Sequence, residues 1–179
     1  MLITGATGGL GASLCKKLLA LEWEVYGVGR DINALSELNS QGVKVIEADF
    51  LESGAIEKIV SSASEVDCLV NNAGVFPIKN LAQSELIDYD NTFEINVRKP
   101  FQLMKHYIPG MRKRKSGSVI NILSSSAFSG SPDTALYCAS KHALLGLTRS
   151  AFLENRGTGV DVFSVSPGSM MTVMGASDK

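Results

Sequence analysis

The sequence predicts an α/β fold, a doubly wound parallel sheet between two layers of helices, organised as a single domain over residues 1–179. Three observations predict it. Short apolar runs alternate with amphipathic stretches along the whole chain. A glycine-rich turn follows the first apolar run directly. A content of 45% hydrophobic and 20% charged residues suits a chain that buries one sizeable core.

Met1 to Thr4 reads as a first strand with almost no residues before its turn. Glu24 to Gly29, Val43 to Ala48, Val66 to Val70, Gly117 to Leu123 and Val160 to Val165 are runs of the kind found in strands buried on both faces. Helical periodicity fills the intervals: Leu10 to Glu22, Ile32 to Ser40, Ser53 to Ser62, a long stretch from Ser84 to Lys115, and Tyr137 to Asn155. Strands joined through helices require right-handed crossovers and a parallel sheet, whose ligands bind beyond the carboxyl ends of the strands. No internal repeat or low-complexity linker interrupts the alternation.

Charge and composition exclude several function classes. The formal net charge is −1, and the basic run Arg112 to Lys115 closes a helix, where cations complement the carbonyl end of the dipole, so neither nucleic acid nor a membrane surface is expected. No apolar stretch approaches the ~18 residues of a membrane span, and the first residues lack the basic flank and apolar core of a signal peptide. Cys15, Cys68 and Cys138 are odd in number and widely spaced, which suits buried thiols in a reducing compartment, not disulfides or a metal knuckle. His106 and His142 lie in helices without triad partners at useful spacing. These points predict a cytoplasmic protein with no metal site and a small-molecule partner.

Thr4-Gly5-Ala6-Thr7-Gly8-Gly9-Leu10-Gly11 follows the first strand and opens the first helix. There a parallel sheet presents backbone N–H groups and a positive helix end to a pyrophosphate, and glycines let the phosphates approach. Dinucleotide folds that take NAD(H) usually place an acid at the end of the second strand, about 20 residues on, to accept from the adenosine ribose. Here Gly29 stands where that acid is expected, and Arg30 follows it with a guanidinium able to pair with a 2′-phosphate. NADP(H) is therefore the expected cofactor. NAD(H) is the alternative if Asp31 reaches back to the ribose, although Asp31 also suits the N-cap of the next helix.

Tyr137 and Lys141, four apart, fall on one helix face, where a positive charge favours the phenolate of a group whose ordinary pKa is about 10. Ser124 ends the fifth strand at the same edge of the sheet and can hydrogen-bond a substrate oxygen. Its neighbours Ser125 and Ser126 compete for that role on this reading alone.

Taken together and in order, these motifs resemble the short-chain dehydrogenases/reductases over essentially all 179 residues. Besides the turn at residues 4–11, the resemblance rests on Asp49-Phe50 after the third strand, Asn71-Asn72-Ala73-Gly74 after the fourth, Ile95-Asn96-Val97 in the long helix, Asn121-Ile122-Leu123-Ser124, Tyr137-Cys138-Ala139-Ser140-Lys141, and Pro167-Gly168-Ser169-Met170-Met171-Thr172. It implies Asn96, Ser124, Tyr137 and Lys141 as catalytic residues. Tyr137 is then the general acid/base for hydride transfer between nicotinamide and a carbonyl or alcohol carbon. Lys141 lowers its pKa and bonds the nicotinamide ribose, Ser124 positions the substrate oxygen, and Asn96 holds a water in the proton relay.

The implied cofactor contacts are Gly5, Thr7, Gly8, Gly9, Leu10, Gly11, Arg30, Asp49 (to the adenine), Phe50, Asn72, Ala73, Gly74, Tyr137, Lys141, Pro167, Gly168, Met170 and Thr172. Family members also tend to pair through the helices near Phe101 to Met111 and Ala143 to Phe152, which implies a homodimer or homotetramer. They usually continue some tens of residues past the Pro-Gly stretch, so the sequence is expected to lack a last strand and the helices that cover the substrate. A non-catalytic dinucleotide-binding sensor or partner subunit is the alternative function on this fold.

Overall fold

The structure is a computed structural model and describes residues 1–168. Its strands are β1 (Leu2–Thr4), β2 (Tyr26–Gly29), β3 (Lys44–Glu47), β4 (Cys68–Asn71), β5 (Gly117–Ile122) and β6 (Val160–Val165). They form one sheet in the order β3-β2-β1-β4-β5-β6, and every pairing is parallel. The order reverses between β1 and β4, which opens a crevice at their carboxyl ends. Helices α1 (Gly9–Leu19), α2 (Ile32–Ser40), α3 (Ala55–Ser62), α4 (Leu86–Phe93), α5 (Lys99–Arg114) and α6 (Ala135–Glu154) make the crossovers.

Alternating side chains divide the core into two layers. Leu2, Val28, Ile46, Leu69 and Val119 pack with Ile59 of α3 and with Leu103, Tyr107 and Met111 of α5. Their neighbours Ile3, Val70 and Ile122 face the other way, against Cys15 of α1 and Leu38 of α2. The doubly wound arrangement is the one expected, and all six strand segments and the helical segments form.

The differences lie at boundaries. Val25, Val43 and Val66 are buried but stand just before their strands, because an apolar run reports burial whereas a strand is defined by its ladder. Helix α1 stops at Leu19, where Trp23 N–H bonds back to the Leu18 carbonyl and Glu22 takes a left-handed φ of 62°. The long expected helix is one path in two pieces: α4 runs into α5 through a π-turn at Glu94–Arg98. Helix α6 starts two residues before Tyr137.

A buried polar ladder joins β4, β5 and α6. Asn71 Nδ2 donates to Asn121 Oδ1 (2.8 Å), Asn121 Nδ2 donates to Thr148 Oγ1 (2.8 Å), and Thr148 donates to the Leu144 carbonyl (2.7 Å). All three side chains are at most 3% exposed. Asn121→Ala leaves the Asn71 amide unpaired in the interior, and it should lower the unfolding free energy in urea by about 1–3 kcal/mol.

Candidate active site at the carboxyl edge of the sheet

The glycine-rich turn is shaped by contacts that exclude side chains. Gly5 has φ +64°, and a Cβ there would lie 2.8 Å from Ala73 Cα; a Cβ on Gly11 would lie 2.1 Å from the Gly5 carbonyl oxygen. Gly8 is the N-cap of α1 and offers no side-chain acceptor, so the first N–H groups of the helix face outward past the exposed Gly8 and Gly9. Thr7 sits against Gly29, where a Cβ would approach the threonine side chain to 2.7 Å. An uncapped helix start lined by glycine is a cradle that fits a dinucleotide pyrophosphate.

The turn is locked to the end of β4. Thr4 Oγ1 accepts from the N–H groups of Asn72 and Ala73, both at 3.0 Å, while Asn72 Nδ2 donates to the carbonyls of Thr4 (2.9 Å) and Gly5 (3.1 Å). Gly74 follows, with a would-be Cβ 3.7 Å from Lys141 Nζ. The separated Thr-Gly and Asn-Asn-Ala-Gly motifs therefore form one unit.

At the end of β2, Asp31 caps α2 by accepting from Ala34 N–H at 3.0 Å, as its N-cap reading expects. Arg30 is exposed and its Nη1 lies 3.4 Å from Asp49 Oδ2. These residues line an open depression of about 380 Å³ with Glu47, Ala48, Glu52 and Lys58. Phe50 instead packs into the core at 7% exposure, so its side chain faces away from solvent. Pro167 and Gly168 follow β6, and Met170 and Thr172 lie outside the described residues.

Ser124, two residues past β5, has an extended backbone, and its Oγ accepts from Ser126 N–H at 3.2 Å. Ser125 is exposed. Tyr137 and Lys141 lie on α6 at 8% and 4% exposure, with Lys141 Nζ 5.6 Å from the Tyr137 ring centroid and bonded to the Ile122 carbonyl at 2.8 Å. Asn96 is fully buried in the π-turn. It accepts from Val75 N–H (2.9 Å) and donates to the Val75 carbonyl and to Ser140 Oγ, both at 3.0 Å. Ser140 in turn donates to the Tyr137 carbonyl at 2.7 Å.

Burial pushes the Tyr137 phenol above its ordinary value, while the Ser124 hydroxyl pulls it the other way. Burial brings Lys141 down to about 8. Loss of hydration is the leading cause at both groups. Burial also pushes the Cys15 and Cys68 thiols up to about 11, which suits inert core residues. Sequence reading missed Phe76, whose ring meets that of Tyr137 edge-on at 4.6 Å, and the Thr4–Asn72 lock. No spacing rule pairs residues so far apart in the chain.

A larger depression of about 720 Å³ includes Tyr89, Phe93, Val97, Phe101 and Leu147 in its lining, but none of Ser124, Tyr137 or Lys141. Among the described residues no group of His, Cys, Asp and Glu is placed to hold a metal ion. No described helix is long and apolar enough to cross a membrane.

The strand order and this site define a nucleotide-binding α/β protein of the oxidoreductase kind. All 179 residues match the family described as short chain dehydrogenase, and the chain belongs to that family. It is 34% identical to an uncharacterized oxidoreductase of Thermotoga maritima over 94% of this chain and 70% of that protein. It is 31% identical to the 3-oxoacyl-[acyl-carrier-protein] reductase FabG of Rickettsia conorii over 97% and 73%.

Among solved structures, a short chain dehydrogenase/reductase family protein superposes with a TM-score of 0.94 at 32% identity, covering 98% of this chain and 76% of that one. A 4-hydroxyisoleucine dehydrogenase complexed with NADH gives 0.88 at 29% identity, covering 96% and 76%. A serine dehydrogenase complexed with NADP+ gives 0.89 at 26%, covering 96% and 73%. Proteins similar to this chain thus bind either dinucleotide.

The burial of Lys141 has a measurable consequence. Its folded pKa of about 8 lies below the ordinary 10.5, so the unfolded chain holds more protons between these values and the group's contribution to stability rises with pH. The penalty is fully present below pH 8 and is relieved as the pH climbs from 8 towards 10.5. The difference in unfolding free energy between wild type and Lys141→Met should therefore shift in favour of wild type over this window, read from urea denaturation at several pH values. A pH-independent difference contradicts this.

Proposed function

We propose that this chain is an NADP(H)-dependent oxidoreductase in which Tyr137 is the general acid/base for interconverting a carbonyl and an alcohol on a small molecule. The observation that carries the reading is the convergence of Ser124, Tyr137 and Lys141 beside the β1–β4 crevice, with the glycine cradle at the start of α1 in the same edge of the sheet. When bound, nicotinamide supplies or accepts the hydride.

The chain's residues do the rest. In reduction, Tyr137 O–H donates its proton to the carbonyl oxygen as that oxygen gains charge, and in oxidation the phenolate takes the proton back. Ser124 Oγ accepts from Ser126 N–H, and its single O–H, directed at the Tyr137 oxygen in the free site, turns to the substrate oxygen, so two donors share the developing charge. Lys141 is held at the edge by the Ile122 carbonyl and sets a cation below the phenol ring. Asn96 fixes the Gly74-Val75 segment and, through Ser140, the first turn of α6. On the family pattern it also holds a water that relays protons to Lys141.

The NADP(H) preference rests on Arg30. Asp31 is committed to capping α2, so it is poorly free to accept from a ribose, while Arg30 is exposed and needs only to exchange Asp49 for a 2′-phosphate. Asp49 is then released towards the adenine, and the backbone of Pro167 and Gly168 borders the nicotinamide end. The exposed Tyr89, Phe101, Phe152 and Leu153 on α4, α5 and α6 favour self-association through these helices.

Titrating the protein with NADPH and with NADH, followed by nicotinamide fluorescence, should give tighter binding of NADPH, and Arg30→Ala should erase the difference by weakening NADPH alone. Tyr137→Phe should keep NADPH affinity and lower carbonyl reduction about 10²–10⁴-fold. Equal turnover by Tyr137→Phe contradicts the assigned mechanism.

A further inference from the structure

The π-turn that carries Asn96 also carries a charge fork. Glu94 Oε1 lies 2.9 Å from Lys99 Nζ, and Glu94 Oε2 lies 3.1 Å from Arg98 Nε. The backbone closes the same interval, with Lys99 N–H donating to the Glu94 carbonyl five residues back. In a regular α-helix a residue five positions on is rotated about 140° from the first, so a glutamate could reach its i+4 neighbour but not both. The widened turn brings positions 98 and 99 under one carboxylate together. Lys99 is only 7% exposed, and a buried ammonium demands such a partner.

We infer that Glu94 is a positioning residue: by holding Arg98 and Lys99 together it fixes the π-turn in register and so aims Asn96 at Val75 and Ser140. The turn itself connects the fork to Asn96. The fork sets where the extra residue of the turn sits, Asn96 lies in the middle of that turn, and its amide spends both N–H groups on the Val75 carbonyl and Ser140 Oγ. Relaxing the turn to a regular α-helix rotates every residue beyond it and takes Asn96 off the loop that follows β4. The catalytic consequence rests on the function proposed above, whereas the structural consequence does not.

Both are tested in the full chain. Hydrogen–deuterium exchange read by NMR should show the Val75 amide, which donates to Asn96, exchanging at least tenfold faster in Glu94→Gln, with the amides of α1 unchanged. NADPH affinity by fluorescence should stay within twofold, while kcat for NADPH-dependent reduction of a carbonyl probe such as ethyl acetoacetate falls about tenfold with little change in KM. Should Glu94→Gln not fold, the double variant Glu94→Gln/Lys99→Met leaves no buried ammonium unpaired and carries the same exchange measurement. A folded variant with wild-type Val75 protection overturns the inference, as does faster Val75 exchange combined with wild-type kcat for its catalytic part. If wild type itself binds no dinucleotide, the proposed function fails and the exchange result still decides whether Glu94 holds the turn.

Discussion

The crossing of the chain between Thr4 and Asn72 is the constraint on which the rest of the site depends. A buried threonine hydroxyl at the end of β1 takes the first two N–H groups beyond β4, and the Asn72 amide returns to the carbonyls of the glycine turn. Each buried N–H left without its acceptor costs about 1–3 kcal/mol, so the two strand ends are held together firmly. They flank the point where the sheet order reverses, and the crevice opened there gains walls of fixed spacing. The lock brings Gly5 against Ala73, and within the turn Gly11 lies against Gly5, so neither position has room for a side chain.

From that crossing the site is extended outward by polar ties. The Asn71–Asn121–Thr148 ladder carries the end of β4 to β5 and on to α6, and Asn96 carries the loop after β4 to the turn of α6 that holds Tyr137 and Lys141. Asn71 Oδ1 is buried without a partner, but the paired groups of these ties hold β4, β5 and α6 in fixed register. Rigidity here sets a buried ammonium and a buried phenol side by side, and loss of hydration raises the phenol and lowers the ammonium, moving their pKa values apart. A lysine brought to about 8 changes charge within reach of neutral pH, a property an exposed i,i+4 pair on a helix would not have.

Much of this was legible in the sequence because it depends on local pattern. Apolar runs located all six strands, glycine marked the turn at residues 5–11, and the four-residue step from Tyr137 to Lys141 placed both on one helix face. What stayed hidden depends on contacts between distant segments or on a balance of energies. Periodicity cannot resolve one extra residue per turn, so Ser84 to Lys115 read as a plain helix and the π-turn around Asn96 went unseen. Phe76 carries no motif, yet it packs on Tyr137. Phe50 adjoins Asp49 in the sequence but packs into the core, because the chain turns at Asp49, whose carbonyl accepts from Glu52 N–H, and sends the two side chains to different surroundings. The direction of the Tyr137 shift required knowing how deeply α6 is buried.

A crystal structure of the protein with NADP+ tests most directly whether this crevice is the dinucleotide site. The pyrophosphate should lie against the N–H groups at the start of α1, the 2′-phosphate beside Arg30, and the nicotinamide ring in the crevice between β1 and β4, facing Tyr137. A dinucleotide bound elsewhere, or one in the crevice with its nicotinamide turned away from Tyr137 and Ser124, would contradict this placement.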